Sequence, residues 1–92
     1  MTKADIVNEV AKSTGVEKEL VARVVEAFME SVKGSMTGGE NIYLRGFGTF
    51  LIKKRAQKTA RNISKNTTII IEAHSIPSFK PAKEFMMSVK GE

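Results

Sequence analysis

The spacing of apolar residues changes twice along this chain, and the changes mark a helical stretch, a strand stretch and a second helical stretch. Ile6, Val7, Val10 and Ala11 recur on one face of a 3.6-residue period. Thr2 stands just before them and Asp5 three residues later. That is the arrangement of a capping box, with an acid near the positive end of the helix. Ser13-Thr14-Gly15 supplies a residue suited to the left-handed conformation that stops a helix. From about Glu17 to Thr37 the same period returns in Leu20, Val21, Val24, Val25, Phe28, Val32 and Met36, and Gly38-Gly39 ends it. The pattern predicts a short helix and a long one packed on it.

After the glycines the period becomes two. Ile42 and Leu44, then Phe50 and Ile52, alternate with Tyr43, Arg45, Leu51 and Lys53 about Gly46-Phe47-Gly48, which predicts a β-hairpin with a tight turn. Thr67-Thr68-Ile69-Ile70-Ile71 is a β-branched run and predicts a further strand. Between them, Arg55 to Asn66 has almost nothing to bury, so the flanking strands are expected to form a long ribbon whose tip projects into solvent. Pro81 suits the first position of a last helix containing Phe85, Met86 and Val89. The expected fold class is α+β in the order ααβββα, one domain over 1–92. It comprises a helical hairpin (1–40), a three-stranded antiparallel sheet with a projecting arm at about 53–76 (41–80) and a C-terminal helix (81–92).

Such an arm leaves 68 of the 92 residues to build a core, a size at which one domain is marginal. Phe28, Phe47, Phe50, Phe79 and Phe85 offer more aromatic area than two helices and a small sheet enclose. An intertwined dimer with these rings crossing its interface is therefore expected, either a homodimer or a heterodimer with a paralogue.

Charge then narrows the class of partner. From Asn41 to Ile71 there are seven basic residues (Arg45, Lys53, Lys54, Arg55, Lys58, Arg61 and Lys65) and no acid. The rest of the chain sets eight basic residues against all ten acids, so a near-neutral body carries one strongly cationic segment. That segment suits a polyanion. Other classes lose ground. With no Cys and His74 as the lone histidine, here read as a strand residue, one chain assembles neither a zinc cage nor a Cys/His nucleophile pair. Asp5 with Glu9, and Glu26 with Glu30, share helix faces but read as solubility charges. Gly46-Phe47-Gly48 is not a dinucleotide loop, since Leu51 stands where a third glycine would fall and a strand follows. No enzyme activity, cofactor, metal or small-molecule substrate is expected. No apolar run approaches the roughly 18 residues of a membrane span, and no signal-like stretch opens the sequence, so a cytoplasmic location is expected.

The run Arg45-Gly46-Phe47-Gly48-Thr49-Phe50, followed by Arg55-Ala56-Gln57-Lys58-Thr59-Ala60-Arg61-Asn62, resembles the signature of the HU and integration-host-factor family. The resemblance covers nearly the whole chain, including Ile76-Pro77-Ser78-Phe79 and the terminal helix. It implies an intertwined dimer whose two arms reach around double-stranded DNA in the minor groove and bend it, as the architectural proteins of this family do. Arm cations Lys53, Arg55, Lys58, Arg61 and Lys65 would track phosphates, while Arg61 and Asn62 would meet the groove floor, whose acceptors carry little sequence information. Ile63 stands where the family usually places proline, and would serve as the apolar wedge that unstacks a base step. By the same resemblance, Lys3, Gly46, Gly48, Lys80 and Lys83 touch flanking phosphates, helped by helix N-termini. Arg45 and the stretch Phe79-Lys80-Pro81-Ala82-Lys83-Glu84 look more like the host-factor branch than HU. Nucleoid association follows from this reading. The competing reading is a basic module for RNA or another polyanion that does not bend its ligand; an RNA reader should show exposed aromatics in its strands.

Overall fold

A computed structural model describes residues 1–62 and 67–91, and in it the first helical period becomes α1 (Lys3–Thr14) and the second α2 (Lys18–Thr37). Thr2 and Asp5 close the predicted capping box. The Thr2 amide donates to Asp5 Oδ2 at 2.9 Å, and the Thr2 hydroxyl donates to the same oxygen at 3.1 Å. These bonds, the backbone one foremost, favour the ionised carboxylate and hold Asp5 below its ordinary pKa. At the other end Gly15 adopts φ +74° and its N–H reaches Ala11 O at 2.9 Å. The Ser13 and Thr14 hydroxyls both donate to Val10 O, at 3.2 and 2.6 Å, so the terminal carbonyls find partners. Lys3 at the start of α1 ion-pairs with Glu26 midway along α2, which ties the two helices together. Val7 and Val21 are the buried hydrophobic residues of the hairpin, at 4% and 5% exposure.

The sheet follows as β1 (Ile42–Leu44), β2 (Gly48–Arg55), β3 (Lys58–Asn62), β4 (Thr67–Ile71) and β5 (His74–Pro81), then α3 (Lys83–Lys90). β1, β2 and β5 form an antiparallel three-stranded sheet with β2 in the centre, and β3 pairs antiparallel with β4. The polar stretch expected to project thus carries a ladder of its own, because β-branched Thr67–Ile71 offers backbone partners to Lys58–Asn62. Arg55 faces His74 and Lys58 faces Ile71, three residues further on in each strand. Ala56-Gln57 therefore stand against Glu72-Ala73 with nothing inserted: the ribbon has a gap in its pairing rather than a bulge, and its register is constant from base to arm.

Two local devices complete the sheet. β1 stops opposite Phe50, and the Ile52 N–H beyond it donates instead to Asn41 Oδ1 at 3.1 Å. In the turn between β1 and β2, Phe47 N–H reaches Leu44 O at 2.9 Å and Gly46 takes φ +80°. Pro81 does not open the last helix as expected. It is still paired with Gly48 in β5, Ala82 is the extended N-cap, and the Ala82 N–H donates to Phe47 O at 2.9 Å. A proline has no N–H to make that tie, so the extended backbone runs on through Ala82, the N-cap, before the helix starts.

The chain forms two compact units, Met1–Ser35 and Met36–Glu92. Among the described residues no helix is long and apolar enough to cross a membrane. Neither unit closes a core by itself. In the first, Leu20, Val24 and Phe28 keep 47%, 65% and 46% of their surface, and in the second Phe47 keeps 46%.

Candidate nucleic-acid interface

Register decides which side chains share a face, because successive residues of a strand point to opposite sides and directly paired residues to the same side. Phe50 faces Phe79, with ring centroids 4.9 Å apart. Phe47 joins them from the turn at 5.2 Å from Phe79, and Phe85 from α3 stacks on Phe47 at 5.3 Å and 17°. One side of the sheet is therefore an aromatic cluster. The other side carries the row Tyr43, Thr49, Lys80, then Leu51 with Ser78, Lys53 with Ile76, and Arg55 with His74. Lys53, Arg55 and Lys80, three of the predicted contacts, thus lie together on the face opposite the aromatics. Lys54, equally basic and adjacent in sequence, pairs with Ser75 on the aromatic side.

Further out, Lys58 pairs with Ile71, Arg61 with Thr68 and Asn62 with Thr67 along the ribbon. Arg61 and Asn62 are placed here by their backbone pairing. Ile63 and Lys65, the predicted wedge and tip cation, lie outside the described residues.

The two predicted glycines differ. A Cβ on Gly48 would fall 2.6 Å from the Lys80 carbonyl and 2.6 Å from the Phe79 ring, so this buried residue is glycine because β5 and its aromatic ring press against it. Gly46 is exposed in the turn, and a Cβ there would meet the Glu84 carboxylate at 3.2 Å. That acid sits in the first turn of α3 beside Lys83. Ala82 has no side-chain oxygen to cap the helix, so the amides of this first turn are open to an anionic ligand. Arg45 is exposed at the same turn.

Lys3 is not free. Its ammonium is held by Glu26, and that hydrogen bond, reinforced by the Lys3 charge, lowers the Glu26 pKa from its ordinary value. A phosphate at Lys3 has to displace Glu26. Sequence reading took Glu26 for a solubility charge, and the missed signal was an opposite charge on the facing helix. His74 was likewise passed over as a strand residue, although it shares the face of Lys53, Arg55 and Lys80.

A helical hairpin followed by a three-stranded sheet that extends into a basic ribbon, with Lys53, Arg55 and Lys80 on the face opposite the phenylalanine cluster, defines a nucleic-acid-binding protein of the β-ribbon type. The family model "Bacterial DNA-binding protein" matches residues 1–90. The chain belongs to that family. It is 39% identical over 83 residues to DNA-binding protein HU-beta of Pseudomonas aeruginosa, covering 90% of this chain and 92% of that one. It is 38% identical over 90 residues to DNA-binding protein HU of Thermus thermophilus, covering 98% and 93%. Among solved structures, Anabaena HU in a cocrystal with DNA superposes with a TM-score of 0.94 at 29% identity over the full length of both chains. A variant HU from Thermotoga maritima superposes with a TM-score of 0.74 at 27% identity, over 97% of this chain and 99% of that one.

Proposed function

We propose that this protein is an architectural DNA-binding protein that acts as a dimer, grips duplex DNA through the minor groove with its two arms and bends it with weak sequence preference. The observation that carries the reading is the separation of Lys53, Arg55 and Lys80 from the Phe50–Phe79 side of the sheet. One face is free for phosphates while the other is committed to packing. The DNA in the Anabaena HU cocrystal supports the choice of ligand.

Phosphate contacts come from Lys53, Arg55, Lys58 and Lys65 along the arm and from Lys80, Lys83 and the Arg45-Gly46 turn at its base. Lys3 contributes once Glu26 is displaced, and Gly48 contributes by letting β5 approach. Arg61 and Asn62 donate to the groove floor, and Ile63 enters a base step. Unstacking costs a few kcal/mol, offset by the additional protein surface that bent DNA reaches. Homodimerisation covers Val24, Phe28, Phe47 and Phe79, which one chain leaves 65%, 46%, 46% and 37% exposed. Association with the nucleoid follows.

Energy transfer between dyes at the two ends of a duplex of about 35 base pairs, short against the persistence length, tests binding and bending together. Transfer should rise saturably, and with about 6 to 10 phosphates neutralised log K should fall against log[salt] with a slope of about −5 to −9. The Ile63→Ala variant should lose more transfer than affinity. A slope near zero would remove the polyanion reading, and binding without any rise would leave a basic module that does not bend DNA.

A further inference from the structure

His74 opens β5 at the point where the ribbon's pairing lapses, directly opposite Arg55. Its ring is oriented by the backbone, with Nδ1 2.9 Å from the Glu72 carbonyl oxygen. A carbonyl only accepts, so Nδ1 carries the proton and donates. In the neutral ring Nε2 is then left with a lone pair and no hydrogen. That nitrogen is an acceptor and has nothing to offer a phosphate oxygen. A second proton changes this, because the imidazolium keeps its bond to Glu72 and gains an outward Nε2–H with a positive charge.

The surroundings suit an anion. His74 lines an open hollow with Arg55, Ala56, Gln57, Lys58 and Ile76. The charged side chains facing it are Arg55 from β2 and Lys58 from β3, both exposed cations. On its own strand side Glu72, two residues away, takes part through its backbone carbonyl. Lys53 shares the face one pleat away, opposite Ile76. A phosphate seated between Arg55, Lys58 and His74 would accept a charge-assisted hydrogen bond from the imidazolium Nε2–H.

We propose that His74 is a phosphate-binding residue of the arm whose contact with the DNA backbone is switched on by protonation, so that duplex binding takes up one proton per arm. The inference rests on the DNA-binding reading above. As pH falls through the range in which histidines ionise, affinity should rise, and the salt dependence should steepen by about 0.9 per arm for one more phosphate contact. The linkage has a definite sign: the DNA-bound state holds more protons, so acid favours binding.

The test is titration of the full-length protein into a 35-base-pair duplex of roughly the size used above, by fluorescence anisotropy at constant ionic strength, at pH 8.0 and about pH 5.5, where histidine is mostly charged. Wild type should tighten on the order of fivefold across this range and His74→Gln, which keeps an amide donor for the Glu72 carbonyl, should bind equally at both ends. His74→Lys, charged throughout, should bind at pH 8.0 as wild type does at low pH. If His74→Gln tightens as much as wild type, or binds more weakly by the same factor at both pH values, His74 is not a titrating contact and the proposal fails. If instead wild type shows no salt-dependent duplex binding at either pH, the DNA-binding reading itself fails, an outcome separable from the first.

Discussion

The two compact units of this chain handle charge in opposite ways. Met1–Ser35 holds five basic and six acidic residues, and its cations Lys3 and Lys33 are taken up by Glu26 and Glu30. Met36–Glu92 holds ten basic and four acidic residues, and among its described residues no cation enters an ion pair. The helical unit has neutralised itself. The β unit has left Lys53, Arg55 and Lys80 unpartnered on one face of its sheet, a costly self-repulsion unless an external anion relieves it. What the units share is apolar surface left uncovered in each. On the proposed reading, the first serves assembly and the second serves both assembly and ligand.

Three sets of measurements bear on that contrast. The largest effect should come from Phe79→Ala, which removes the ring touching Phe47, Phe50 and Phe85 and should cost about 3–5 kcal/mol in urea denaturation. For the unsubstituted protein the thermal midpoint should rise with protein concentration over a hundredfold range, because dissociation accompanies unfolding. A midpoint that ignores concentration would mean that each chain closes its own core, and the shared role assigned to the two units would be lost.

Next in size is a paired substitution across one peptide bond. Lys53→Ala should weaken duplex binding severalfold and flatten the salt slope by about 1 per protomer, whereas Lys54→Ala, on the aromatic side, should leave the slope within error. Equal losses at the two positions would show that the cations act as a diffuse cloud and that the sheet's two faces do not divide the work.

Smallest is Glu26→Gln in the helical unit. Releasing Lys3 should strengthen DNA binding about twofold and steepen the slope by somewhat less than 1 per protomer. The same pair has a pH signature. The folded-state pKa of Glu26 is lowered by Lys3, so its contribution to stability is present above the ordinary carboxylate range and is lost as pH falls through the lowered value. Acid titration of stability should lose that component in Glu26→Gln, with the rest of the curve unchanged.

Much of this was legible in sequence because the signals were local. The helical periods, the Thr2–Asp5 box, the Gly15 stop and the Gly46 turn each depend on a few neighbouring residues, and each formed where the spacing put it. The ladder of Lys58–Asn62 was hidden because Thr59 is the one residue of that polar run with strand character by itself. Its structure comes from the partner strand, Thr67–Ile71. Pro81 was misplaced because its preference for a first helical position lost to a tertiary hydrogen bond, Ala82 to Phe47. At the interface, composition identified the basic segment, but only pairing with β5 separates Lys53 from Lys54 or sets His74 beside Arg55. The engagement of Lys3 by Glu26 spans 23 residues and two helices, beyond any local pattern.

The unbroken register through the ribbon also governs how this arm is able to change length over evolutionary time. One residue added to a single strand would slip every pair beyond it, and one added to each strand before Lys58 would keep the pairs but turn Lys58 onto the opposite side. Only two residues per strand restore both. Reach is thus quantised in steps of about 7 Å, roughly the rise of two base pairs, and arms built on this plan can differ in span by whole dinucleotide steps and by nothing in between.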